Sequence, residues 1–183
     1  MKNSVLGIFS LAILIISCTP QEARRPISYS KSHTLANVSG NMKKINKIEE
    51  EKIHAYLQKD SVLSYRSSSD GYWYATIEKV KENTPYPKEG DLVELQYEIL
   101  DLSDRVIYSS QELGTKVYKV DKENFIPALQ LGIKSMKVGE TVKFVIPPYR
   151  AFGVVGDQHK IGINQSIISI VTLLNIKLTD ESN

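Results

Sequence analysis

The sequence is poor in several things that catalytic and metal-binding chains depend on. One cysteine, Cys18, stands in 183 residues, so no intramolecular disulfide can form and no thiolate cage for a metal can be built. The three histidines, His33, His54 and His159, are scattered without a cysteine beside them, which argues against a metal site. Lysine plus arginine outnumber aspartate plus glutamate by only 23 to 21, and no basic block or aromatic-basic interleaving occurs, so nucleic-acid binding is not expected. No glycine-rich loop follows a strand to open a helix, and no serine sits in a nucleophile setting. Repeats and low-complexity arrays are absent. What is left is ordinary globular material, 42% hydrophobic and 24% charged, enough for one domain with appendages.

The first seventeen residues read as a targeting segment. Lys2 supplies a positive start, and residues 5–16 are nearly all apolar. That run is too short for a comfortable membrane span and suits a signal peptide. It ends in Ile15-Ile16-Ser17-Cys18, which resembles the bacterial lipobox, where a small residue precedes a lipidated cysteine. Cys18 is therefore the expected lipid attachment. Thr19 rather than aspartate follows it, which matches an outer-membrane address facing the periplasm. Residues 18–41 are polar, serine-rich and without apolar periodicity, and are expected to be a flexible tether.

From residue 42 the pattern changes. Met42, Ile45, Ile48, Ile53, Tyr56 and Leu57 fall loosely on one side of an amphipathic helix over 42–60. Glu50 and His54 stand four apart on it and are read as a solvated pair. Strand-like residues 62–66 and 72–80 flank a Ser67–Gly71 reversal. Leu92–Leu100, Val106–Tyr108, 115–120, Thr141–Ile146 and 167–176 follow as strands, and 179–183 as a tail. Trp73, the only tryptophan, is read as a packing residue.

Residues 124–153 organise the rest. Pro127 stands where a helix begins, at the position whose missing N–H costs nothing. Ile126, Leu129, Ile133 and Met136 follow at spacings of three and four. Gly139-Glu140 then turns the chain into the strand Thr141–Ile146, which Pro147-Pro148 ends. One apolar helix across a sheet leaves a hydrophobic pocket at its end, lined by Phe125, Ile126 and Phe152. The fold class is α+β, with about five antiparallel strands, the short helix and the extra N-terminal helix. Ile126, Leu129, Ile133 and Met136, taken singly, are core positions of any such domain.

An ordered series of short stretches carries a family resemblance. It runs through Gly71-Tyr72-Trp73-Tyr74, Gly90-Asp91-Leu92-Val93-Glu94-Leu95-Gln96-Tyr97, Ile107-Tyr108-Ser109-Ser110 and Tyr118-Lys119-Val120. It continues through Phe125-Ile126-Pro127-Ala128-Leu129, Gly132–Glu140, Ala151-Phe152-Gly153 and Ile161–Ile167. Over about 71–178 the chain resembles the FKBP-type peptidyl-prolyl cis-trans isomerases. With its lipobox and N-terminal helix it more narrowly resembles the gliding-motility-associated lipoprotein isomerases of gliding bacteria. The isomerase domain is placed at 61–178.

The resemblance implies a pocket that binds an Xaa-Pro dipeptide and lowers the barrier to rotation about its amide, about 18–20 kcal/mol without catalysis. No cofactor is implied, since no covalent bond breaks. Catalytic positions carried over are Tyr97, Ile107, Tyr108, Phe125, Ile126, Leu129 and Phe152; Tyr118, Asp157, Ile167 and Ser169 are carried over as substrate-binding. The family usually has Phe and Asp where this chain has Ile107 and Tyr108, a larger aromatic at Leu129, Tyr at Phe152 and an aromatic at Ser169. Phe152 keeps the apolar wall and loses a hydroxyl; Tyr108 exchanges a carboxylate for a phenol uncharged near neutral pH. Expected partners are proline-containing exported proteins, those of a motility or secretion apparatus among them, and the lipid bilayer through acylated Cys18. The alternative, from another class, is a non-catalytic FKBP-fold chaperone or structural binding module.

Overall fold

The computed structural model describes residues 31–80 and 84–177, with side chains from Val38 onward. The signal peptide, Cys18, most of the tether and the tail lie outside the described residues. The chain divides into residues 1–37 and 38–183, and the fold described is that of the second unit. Among the described residues no helix is long and apolar enough to cross a membrane.

Helix α1 spans Lys31–Lys59. It therefore begins well before Met42, inside the stretch expected to be tether. Polar composition hid this start, since nothing in 31–41 repeats at helical spacing. The strands are β1 (Arg66–Ser67), β2 (Trp73–Glu78), β3 (Leu92–Leu100), β4 (Val106–Tyr108), β5 (Thr115–Lys119), β6 (Thr141–Ile146) and β7 (Ile167–Lys177). Two one- to two-turn helices join them, α2 (Ser110–Leu113) and α3 (Pro127–Gly132), the latter running into a 3-10 turn at Ile133–Ser135. Pro127 opens α3 as its residue type requires.

The seven strands form one sheet in the order β1-β2-β6-β7-β3-β4, with β5 also on β3. All pairings are antiparallel. Six strands form close to where they were expected, β4 at its three residues; β1 shrinks to Arg66–Ser67 at the end of the expected 62–66. Strands β4 and β5 share one edge of β3: β5 pairs with Leu92–Gln96, β4 with Ile99 and Leu100. The chain between them, α2, turns at the edge, and this corner becomes one wall of the site.

Side-chain alternation sends Val142, Phe144 and Ile146 of β6 and Ile167, Val171 and Leu173 of β7 to the inner face, where Leu129, Ile133 and Met136 of α3 and its 3-10 extension meet them. Each such aliphatic burial stabilises by about 1.5–3 kcal/mol. Helix and sheet approach closely at Gly132, where an added Cβ would stand 2.4 Å from Cε1 of Phe144. Only glycine fits there.

The outer face is covered as well. Ile53 and Tyr56 of α1 pack on Leu100, Val145 and Ile168, with Trp73 and Tyr65 at the margin. Strand β6 is thus buried on both faces rather than mainly one. Lys143, which its strand position would send to solvent, instead lies 3.3 Å from Asp60 Oδ2 and 5.1 Å over the Tyr56 ring. The Tyr56 hydroxyl donates to Asp104 Oδ1 at 2.8 Å. Glu50 and His54 keep solvent access but take separate partners: Tyr149 donates to Glu50, and the His54 ring meets Trp73 edge-on at 5.3 Å. Docking on the sheet, which separates the two residues' partners, decides this over their spacing.

Candidate active site

At the β4 end of the inner face a largely apolar pocket of about 460 Å³ opens between the start of α3, the β3–β4–α2 corner and the segment after β6. Strand alternation aims Tyr97 and Ile99 into it from β3. Phe125, Ile126 and Pro127 enter from the start of α3, Leu113 from α2, Ala151 and Phe152 from the segment after β6. The aromatics brace one another: Phe125 meets Tyr97 edge-on and lies tilted over Tyr118, each with centroids 5.4 Å apart. Such pairs contribute about 0.5–1.5 kcal/mol beyond their buried area, so the pocket wall is preformed.

Of the carried-over positions, Tyr97, Tyr108, Phe125, Ile126, Phe152 and Asp157 share this pocket. Tyr108 and Phe152 face one cavity. The others stand back from it. Ile107 packs half-buried against the core. Leu129, Tyr118, Ile167 and Ser169 are fully buried beneath, and the Ser169 hydroxyl donates to the Glu98 carbonyl at 3.1 Å. Ser169 thus occupies a family aromatic's place without opening a void onto the pocket. Residues the resemblance did not supply are Ile99, Leu113, Asn124, Pro127 and Ala151. Ile99 was readable as Tyr97's neighbour on the same strand face; nothing in the sequence pointed to Leu113.

Two bridges cross the pocket's rim. The Tyr108 hydroxyl donates to Asp157 Oδ2 at 2.5 Å, and Lys160 pairs with Glu112 Oε1 while its ammonium sits 4.6 Å over the Tyr108 ring. A phenol has one proton to give. While it is held by Asp157, Tyr108 offers a substrate only an acceptor, and Phe152 offers none. Rotation of a bound prolyl amide is therefore served by the apolar walls: the twisted amide is less polar than the planar one and loses less on leaving water.

Asp157 also accepts from the backbone N–H groups of His159 and Ile161, at 2.9 and 2.8 Å. Burial pushes its carboxyl up, but the bonds from Tyr108, His159 and Ile161 outweigh this and leave it below the usual aspartate range. The Asp157 bond raises the Tyr108 phenol in turn. The folded state thus favours the ionised carboxylate, so its stabilisation is complete above the ordinary aspartate value and lost as pH falls through the lowered one. Protection of the Ile161 amide against hydrogen exchange, corrected for intrinsic rate, is expected to be flat from about pH 8 to about 5 and to fall below about 4. Unchanged protection at the acid end would show that the carboxylate does not hold this loop.

A second cavity of about 470 Å³ lies on the other flank of α3, lined by Ser67–Asp70, Tyr74, Thr76 and Ser135 among others. It contains none of the carried-over positions.

Comparison with known proteins bears on the first pocket. Residues 84–174 match the family of FKBP-type peptidyl-prolyl cis-trans isomerases, a span that holds every residue lining it. The chain carries an FKBP-type isomerase domain. Solved structures show the same fold: FkpA from Escherichia coli matches with a TM-score of 0.60 and 22% identity over 96% of this chain and 81% of that one. A peptidyl-prolyl cis-trans isomerase from Pseudomonas syringae pv. tomato matches with a TM-score of 0.61 and 16% identity, over 75% and 96%.

Proposed function

We propose that the chain is a membrane-tethered prolyl isomerase that assists the folding of exported proteins, including parts of a motility or secretion apparatus. The observation that carries the catalytic reading is the meeting of Tyr97, Phe125, Ile126 and Phe152 in one apolar pocket, inside the span that matches the isomerase family. The tethering reading rests on Cys18 directly after the apolar 5–16 run, which supports acylation and anchoring by lipid rather than by a spanning helix. An outer-membrane position facing the periplasm follows from Thr19 after that cysteine. A second reading is favoured by one feature: the Tyr108 proton is committed to Asp157, which suits a groove that holds extended chain without catalysis.

Cis–trans exchange of a Leu-Pro-Phe peptide, followed by NMR with the full chain in mild detergent, separates the two. Accelerated exchange is expected at substoichiometric protein. A folded chain that leaves the uncatalysed rate, tens to hundreds of seconds, untouched would sink the isomerase and leave the holding module. Metabolic labelling with palmitate, present in the wild type and lost in Cys18→Ser, checks the anchor.

A further inference from the structure

The segment 149–166 carries Phe152 and Asp157 into the pocket, yet its backbone is poor at holding itself. Four of its residues, Gly153, Gly156, Gln158 and Asn164, take left-handed conformations, which cost a non-glycine residue of order 1 kcal/mol. Its own ties are Asn164 N–H to the Gly153 carbonyl, Asp157 N–H to the Ile161 carbonyl, Gly162 N–H to Gln165 Oε1, and the Asp157 carboxylate bonds. Both its ends, however, are gripped from outside by consecutive residues of α1. Ser166, 2% exposed, donates to Glu49 Oε2 from Oγ at 2.7 Å and from its backbone N–H at 3.3 Å. At the other end the Tyr149 hydroxyl donates to Glu50 Oε1 at 3.0 Å. Glu49 is itself 8% exposed, its other oxygen held by Lys52 one turn on. The Glu49–Ser166 bonds are buried and charge-assisted, a kind roughly twice as strong as neutral ones; the Glu50–Tyr149 bond is exposed and the weaker of the two grips.

We infer that Glu49 and Glu50 are positioning residues for the prolyl site, with α1 acting from the back of the sheet as a clamp on the segment that forms one wall of the pocket. The inference rests on the isomerase reading above. Neither carboxylate touches the pocket; each acts through an end of the segment. The Glu49–Ser166 bond closes immediately before β7, so it fixes where the segment ends. The Glu50–Tyr149 bond falls two residues before Ala151 and three before Phe152, so it fixes where the wall begins. A chain whose α1 is pulled from the sheet keeps its inner core and loses the wall's register.

The test uses the full chain in mild detergent and four forms of it: wild type, Glu49→Ala with Glu50→Ala, Glu49→Gln, and Asp60→Ala. Asp60 ties the far end of α1 to Lys143 and Tyr65 and lies away from the segment, so it matches the loss of docking without touching the clamp. The double variant is expected to lose roughly 10-fold in kcat/KM, within the about 100-fold that a 1 Å misplacement can cost. Its Ile161 and Asn164 amides should exchange faster. Glu49→Gln, which keeps an acceptor for Ser166, should retain most of both, and Asp60→Ala should lower the melting temperature with neither readout moved. Wild-type kinetics and amide protection in the double variant, or equal losses in Asp60→Ala, would overturn the clamp. A wild type without isomerase activity would sink the isomerase reading, and the amide exchange alone would then decide the clamp.

Discussion

Alanine at Gly156 is expected to abolish most of the isomerase activity while leaving the core intact. Gly156 has φ +64°, and a Cβ there would stand 2.3 Å from the Ile161 carbonyl oxygen and 3.0 Å from the Gly162 backbone. The obstacle is main chain, not the end of a flexible side chain, so the 156–162 loop must open. Opening it carries away the two N–H donors that hold Asp157, and with them the bridge from Asp157 to Tyr108 at the pocket's rim. A loss of about 10- to 100-fold in kcat/KM is expected, with a moderate drop in melting temperature, because Ile161 of the loop is buried with the core while α3 and the strand pairings do not run through it. Gly153→Ala is the internal control. It has φ +61° and open space at its Cβ position, so only the local conformational cost of about 1–2 kcal/mol applies. If peptide exchange by NMR finds the two variants equally active, the loop's closure is irrelevant to the pocket.

The second large effect separates two residues that the family resemblance placed side by side. Leu129 is fully buried under the pocket, within the cluster that joins α3 to the inner face, whereas Phe152 is half-exposed and lines the cavity itself. Leu129→Ala is therefore a stability variant, expected to cost about 2–5 kcal/mol with the cavity it leaves. Phe152→Ala is a pocket variant: it removes an apolar wall and leaves the core's packing alone. Urea unfolding should show the large loss in the first and a small one in the second. Peptide exchange, measured where both are folded, should be impaired chiefly in Phe152→Ala. The reverse pattern would move the substrate's seat from beside Phe152 to the floor under α3.

The contrast also shows where the sequence was readable. Strands β3, β4 and β6 follow from period-two alternation and their bounding turns, and Pro127 marks the start of α3 by its own chemistry. Phe125 and Ile126 could be placed near one pocket because they precede a single helix start, and Phe152 because a proline-ended strand returns the chain there. The resemblance put Leu129 at the pocket's floor, while helical spacing alone says which face is apolar and not how deep each residue sits. The docking of α1 was hidden more thoroughly. Lys143 reads as a solvent-facing strand residue, and Glu49 and Ser166 meet across 117 positions of sequence, a pairing that no local pattern announces. Ile48, part of the expected apolar stripe, is 42% exposed, because the docked face of α1 runs through Glu49, Ile53 and Tyr56 and Ile48 lies beside it.

The sharing of one β3 edge by two short strands has a consequence for how the sheet meets an extended peptide. An open strand edge is a template onto which an extended client adds by main-chain hydrogen bonds, and such addition is the first step of co-aggregation. Here one outer margin of the sheet is β1, two residues long, and the other is divided between the three residues of β4 and the five of β5, with α2 between them. Strand β5 carries Lys116 and Lys119, charges that oppose stacking of a further strand. An extended peptide that reaches these margins therefore finds little ladder to continue.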